Sequence, residues 1–141
     1  MKMDRTLDMK FIRYINLFEK ITRVRTQHCF SYNATIIFLV PKSEIARAIG
    51  EGGKNIKKIS QILEKKVKII PCPSGPEDIH KFISDITYPI KFKSIGLKED
   101  CLTINAGMQS RAALIGRDKS RMNEMKEILQ QYFGIKELKI A

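Results

Sequence analysis

The chain has 141 residues, 43% of them hydrophobic, enough for one ordinary domain or two small ones with packed cores. Its longest apolar runs, such as residues 34–40, are far too short to span a bilayer, and the charges scattered through residues 1–25 do not form a signal peptide, so a cytoplasmic protein without a membrane role is expected. Lys and Arg number 26 against 15 Asp and Glu, a formal charge of +11, and polyanions are the natural partners of such a chain.

Leu7, Phe11, Ile15, Phe18 and Ile21 recur at three- and four-residue spacing between charged residues, which predicts an amphipathic helix ending near Thr22. Residues 23–30 and 35–40, rich in Val, Thr, Phe and Ile around Ser31, Tyr32 and Asn33, predict a hairpin. Pro41 closes the second strand, and residues 42–48 read as a short helix with Gly50 just past its end. Ile56, Ile59, Ile62 and Leu63 make one face of a further helix, and residues 67–70 a final strand.

Residues 71–76 contain three prolines and a glycine, which fix backbone angles and remove donors, so they read as a stiff linker. The same order of elements then repeats. Ile79, Phe82, Ile83 and Ile86 are helical; residues 90–95 and 101–104 are strand-like around a turn at 96–100; residues 109–114 make a short helix; Gly116 opens a loop; Met122, Met125, Leu129 and Phe133 line a helix; residues 138–140 form a last strand. A shift of 66 residues places Ala46 on Ala112, Ile49 on Ile115, Gly50 on Gly116, Ile56 on Met122, Ile59 on Met125 and Leu63 on Leu129. The expected class is α+β, two modules over 1–73 and 74–141, each a small three-stranded sheet packed on helices and docked as a fixed tandem.

Charge is placed unevenly between them. Residues 1–74 carry 15 basic and 6 acidic side chains, net +9, and the remainder 11 and 9, net +2. A heat-adapted surface raises Glu together with Lys, and the first half does not. Cys29, Cys72 and Cys101 contain no Cys-x-x-Cys pair, so they indicate neither a zinc knuckle nor a disulfide framework and read as reduced packing residues. His28 and Cys29 are neighbours in a strand and so point to opposite faces, not at each other. A P-loop needs glycine at 48 and a hydroxyl at 55, where this chain has Ala48 and Asn55. No catalytic residue, metal or cofactor is expected.

Ile49-Gly50-x-x-Gly53-x-x-Ile56 resembles the Ile-Gly-x-x-Gly-x-x-Ile signature of KH domains, and the order helix, strand, strand, helix, helix, strand is similar to their type II arrangement. Two such modules on a short linker resemble the archaeal NusA-type transcription factors over essentially the whole chain. The resemblance implies binding of single-stranded RNA and action on RNA polymerase in elongation, termination or antitermination, as a monomer; a ribosome- or RNA-processing-associated adaptor without polymerase contact is the alternative.

In this reading, glycines at 50, 52 and 53 leave backbone N–H groups open to a sugar-phosphate chain, and the next helix aims its positive end at it. Arg47, Ile49, Gly50, Glu51, Gly52, Gly53, Lys54, Asn55, Lys57 and Lys58 form the first RNA-binding set, with Ile45 and Ile56 extending an apolar groove. Glu51 repels phosphate and weakens binding. Gly116, Arg117, Lys119 and Arg121 form the second set, in which lysine stands where the second glycine belongs.

Overall fold

The computed structural model describes residues 9–141, so Leu7 and the rest of the first eight residues of the expected 1–73 module lie outside the described part. The described residues form two compact units divided between Cys72 and Pro73. The first contains α1 (Met9–Thr22), β1 (His28–Tyr32), β2 (Thr35–Val40), α2 (Ile45–Ile49), α3 (Lys54–Leu63) and β3 (Lys66–Pro71). The second contains α4 (Ile79–Thr87), β4 (Ser94–Lys98), β5 (Cys101–Asn105), α5 (Met108–Ile115), α6 (Ser120–Phe133) and β6 (Glu137–Ile140).

In the first unit the three strands lie in chain order, β1 antiparallel to β2 and β3 parallel to β2. β2 is the centre, and each of its residues is buried. Its Ile36, Phe38 and Val40 join Phe18, Val24, Cys29, Ala48, Ile59 and Ile69 in one apolar core. Phe18 of α1 stacks on Phe38 with ring centroids 4.4 Å apart. A parallel β2–β3 pair requires a crossover, and α2, α3 and the glycine loop between them supply it. The loop is thereby set between two helices anchored on one core.

The expected strand over 23–30 begins late. The Thr22 hydroxyl donates to the Phe18 carbonyl (2.8 Å), and Arg23 adopts a left-handed conformation (φ 63°), which ends α1. Thr26 is then held by its hydroxyl bond to the Leu39 carbonyl and by the Glu19 carboxylate on its N–H (2.9 Å), so pairing starts only at His28. The hairpin turn is Asn33–Ala34, not Ser31 to Asn33. Both turn residues have positive φ (52° and 58°), the handedness that suits the twist of a two-residue hairpin. The helix expected over 42–48 is a 3-10 turn, Lys42–Glu44, followed by α2. Pro71 belongs to β3, and the Cys72 N–H still donates to the Val40 carbonyl (2.8 Å), so the proline segment leaves the sheet two residues later than its composition suggests.

The second unit has the same strand order and directions. β4 and β5 begin 66 residues after β1 and β2, and α6 begins 66 residues after α3. α6 then runs for 14 residues against 10, which moves β6 further along the chain. The Thr87 hydroxyl donates to the Ile83 carbonyl (3.0 Å), repeating at the end of α4 the device that ends α1. The strand expected over 90–95 instead occupies Ser94–Lys98, and the turn expected over 96–100 narrows to Glu99 and Asp100. Gly96 and Lys98 sit within β4 because it is an edge strand with little packing to lose, where both residue types are tolerated. Leu102, Ile104, Leu114, Met125, Leu129 and Leu138 are buried. No helix among the described residues is long and apolar enough to cross a membrane.

Candidate nucleic-acid interface

α2 stops at Ile49 because Gly50 turns to φ 83°, ψ 162°, while its N–H still closes on the Ala46 carbonyl (3.0 Å). One 3-10 turn, Glu51–Gly53, follows, closed by bonds from the Gly53 N–H to the Gly50 carbonyl (3.0 Å) and from the Lys54 N–H to the Glu51 carbonyl. Gly52 and Gly53 both have positive φ (63° and 75°). The sequence reading gives all the loop amides to a ligand. The structure narrows this, since the N–H groups of Gly50 and Gly53 already donate within the chain. The first N–H groups of the turn, those of Glu51 and Gly52, have no acceptor inside it.

Each glycine has a different reason to be there. A Cβ at Gly50 would stand 2.9 Å from the side chain of Asn55, whereas one at Gly52 would meet nothing within 4 Å. At Gly53 the nearest atoms would be Ile56 Cγ2 (3.7 Å) and Lys57 Cε (3.8 Å). Gly50 therefore serves the packing of the loop, and Gly52 with Gly53 forms its open crest. A strand approaching that crest meets backbone first, with the N-terminal end of α3 behind it.

The side chains sort accordingly. Lys54 and Lys57 are exposed beside the crest, two cations within reach of a phosphate chain. Asn55 is committed in part to the loop itself, its amide nitrogen donating to the Arg47 carbonyl (3.3 Å). Arg47 is exposed but tied to Glu44 (3.3 Å) and to the Arg23 carbonyl (3.2 Å). Glu51 is exposed on the turn. Ile45, Ile49 and Ile56 are half-buried and pack against the core; their remaining faces are all that an apolar groove can use. Lys58, also exposed, lines a groove between α1 and α3 with Leu17, Lys20, Ile21, Arg23 and Ile62. Helical geometry explains this, because consecutive residues lie about 100° apart around the axis, so Lys57 and Lys58 face different neighbours. The basic rim of that groove, Lys20 and Arg23, is not legible as a site, since in the sequence Lys20 is merely a polar position near the helix end and Arg23 the first residue of the expected strand.

The second loop follows the first bond for bond. Gly116 (φ 76°, ψ 170°) donates to the Ala112 carbonyl (2.9 Å), Lys119 to the Gly116 carbonyl (3.2 Å) and Ser120 to the Arg117 carbonyl. Asp118 and Lys119 hold positive φ (55° and 62°) where the first loop has Gly52 and Gly53. A Cβ at Gly116 would lie 2.7 Å from Arg121 Cγ, so Arg121 takes the place that Asn55 takes in the first loop, and its guanidinium pairs with Glu124 (2.9 Å). Arg117 and Lys119 remain exposed on the turn. The crest of this loop thus carries side chains where the first presents bare backbone.

Other chemistry is not assembled. Among the described residues no three His, Cys, Asp or Glu lie close enough together to hold a metal ion. Burial pushes the Cys29 thiol up to about 12 and also raises that of Cys72, the opposite of an activated nucleophile. His28 lies on the other face of β1 from the core that encloses Cys29.

Comparison with known proteins fits this geometry. The family described as the KH domain matches residues 12–90, more than half of the chain, taking in the whole α2–loop–α3 segment. The chain is 29% identical over 139 residues to the "Probable transcription termination protein NusA" of Methanococcus vannielii, covering 96% of this chain and 79% of that one. It is also 29% identical over 133 residues to the protein of that name from Methanocaldococcus jannaschii (92% and 71% covered), and 24% identical over 139 residues to that from Halococcus morrhuae (96% and 98%). Among solved structures, it is similar to the crystal structure of APE1850, with 25% identity and a TM-score of 0.65 across 96% of this chain and 100% of that one. A glycine turn between two helices that bridge parallel strands, together with the family match across it, makes this chain a member of the KH domain family.

Proposed function

We propose that this protein binds single-stranded RNA at the crest formed by Gly52 and Gly53 and acts as a transcription termination factor of the NusA kind, in concert with RNA polymerase in the cytoplasm. The observation that carries the proposal is the pairing of an open backbone crest, free of Cβ contacts at Gly52, with Lys54 and Lys57 beside it and the start of α3 behind it. Phosphate contacts of this kind set position and affinity, while base edges are read along the adjoining apolar faces. The names of the archaeal relatives supply the transcriptional role. The role is one of binding and not of catalysis.

The residues assigned to the RNA are Ile49, Gly50, Glu51, Gly52, Gly53, Lys54, Asn55 and Lys57, with Arg47 at the margin. The second unit is read as a second, degenerate KH module, with the module boundary near residue 73. There Arg117 and Lys119 offer charge to phosphate without close backbone approach.

Fluorescence anisotropy with a labelled single-stranded ribo-oligomer tests the reading. Four phosphates neutralised predict a log-log salt slope of about −3. Gly53→Asp, which sets a carboxylate on the crest, lowers affinity roughly tenfold or more. An unaltered affinity in that variant, with a flat salt dependence, rejects RNA binding at this loop. Addition of the protein to a purified archaeal polymerase on a template with a terminator tests the transcriptional role separately: termination efficiency changes, and the effect falls in Gly53→Asp.

A further inference from the structure

A second surface of the first unit is built differently from the glycine crest. Leu17 and Ile21 near the end of α1 and Ile62 near the end of α3 form the aliphatic floor of an open groove of about 450 Å³, and Lys20, Arg23 and Lys58 stand around it. Ile62 is 52% exposed, unusual for a residue of that size on a helix whose other apolar positions pack inward. None of Lys20, Arg23 and Lys58 has a carboxylate partner among the described residues. Elsewhere the protein does pair charges along its helices, as in Lys81 with Asp85 and Arg121 with Glu124. Three cations around one apolar floor, without a carboxylate partner among the described residues, concentrate positive potential where a ligand would also bury hydrocarbon.

We infer that this groove is a docking site for a short amphipathic helix of a partner protein, with aliphatic side chains on one face flanked by Glu or Asp. Recognition of an amphipathic helix uses apolar anchors at three- and four-residue spacing laid along a groove, and a floor made by two helices offers such a seat. Rim lysine and arginine would meet flanking carboxylates, adding to encounter rate and orientation more than to affinity. Nucleic acid fits less well. The floor has no aromatic ring for a base to stack on and contributes no hydrogen-bonding side chain to read a base edge. The glycine crest has the converse composition, bare backbone with little apolar surface. The two surfaces share α3, so one helix would hold RNA at its start and a protein segment near its end.

The test uses the full chain, labelled with nitrogen-15, and a synthetic peptide of about 14 residues, four helical turns, with Leu at helical spacing and Glu beside it. A scrambled peptide of equal composition and a peptide with Lys for Glu serve as controls. The expected result is movement of the backbone amide peaks of Leu17, Ile21, Lys58 and Ile62 with the designed peptide and with neither control. Lys20→Glu and Ile62→Asp, each checked for preserved peak dispersion, weaken binding; the pair together lose roughly tenfold or more. A single-stranded ribo-oligomer added to the same sample moves the amides of Glu51 and Gly52 and leaves the groove untouched. The inference is overturned if the designed peptide moves no groove peak at millimolar concentration, if the scrambled peptide binds equally well, or if the ribo-oligomer shifts the groove amides. The last result would make the groove part of the RNA track.

Discussion

Asn55 fills the space that a side chain at Gly50 would need: a Cβ there would stand 2.9 Å from Asn55 Cγ, while the Asn55 amide reaches back to the Arg47 carbonyl (3.3 Å). One contact thus joins the end of α2, the glycine turn and the start of α3. It separates two effects that a glycine-rich loop otherwise confounds, holding the turn in shape and leaving room for a ligand.

Gly50→Ala and Gly52→Ala should therefore differ in stability. Both positions have positive φ, but Gly52 (φ 63°, ψ 16°) lies near the left-handed helical region, where alanine costs about 1 kcal/mol, while Gly50 (φ 83°, ψ 162°) lies in a region almost confined to glycine, where it costs about 1–3 kcal/mol. Gly50→Ala also drives a methyl into Asn55 and its backbone nitrogen, adding about 1–3 kcal/mol of overpacking. Urea unfolding should rank the midpoints wild type, Gly52→Ala, Gly50→Ala, with the last clearly lowest. Equal midpoints would show that Asn55 moves aside without cost.

Lys119→Gly should stabilise the second unit. Lys119 holds a left-handed conformation (φ 62°) in a turn whose hydrogen bonds match those of the first loop. Relief of about 1–2 kcal/mol of steric cost outweighs the extra freedom glycine gains in the unfolded chain, about 0.5–1 kcal/mol. The net gain is about 0.5–1 kcal/mol, read as a higher urea midpoint with an unchanged slope.

Cys29 should be silent to thiol reagents. Its side chain is buried in the first core, and burial pushes its thiol up to about 12, so almost no thiolate exists at pH 8. With an aromatic disulfide reagent in native buffer, the partly exposed Cys72 and Cys101 should react while Cys29 does not, and in denaturant all three should. Mass spectrometry of the modified peptides checks the assignment.

His28 should make the fold sensitive to mild acid. Burial lowers its pKa from the ordinary 6.5. Below pH 6.5 the unfolded chain takes up a proton that the folded chain refuses until its own lower pKa is reached, so stability falls with pH across that interval and is unaffected by this group above it. Thermal midpoints at pH 7.5 and 5.5 should differ less in His28→Gln than in the parent protein. An identical difference in both would assign the acid sensitivity to other groups.

What could be read from the residue order is whatever depends on local pattern. Spacing of Ile56, Ile59 and Leu63 marked α3, the apolar run 35–40 marked β2 to the residue, and the 66-residue echo of Gly50 at Gly116 marked the repeat. Those signals are strong because a helix period, a strand fully enclosed on both faces and a backbone turn each constrain residue type directly. Tertiary packing decided the rest. Pairing at β1 begins only at His28 because Thr22, Glu19 and the Leu39 carbonyl hold residues 22–26 out of the sheet. β4 accepts Gly96 and Lys98, which look like turn residues, because an edge strand asks little of its side chains. Within one run of charged residues, Lys57 stays by the glycine crest and Lys58 turns toward α1. The sequence brings basic residues to α3, but which of them serve which surface depends on the neighbours that folding places around the helix.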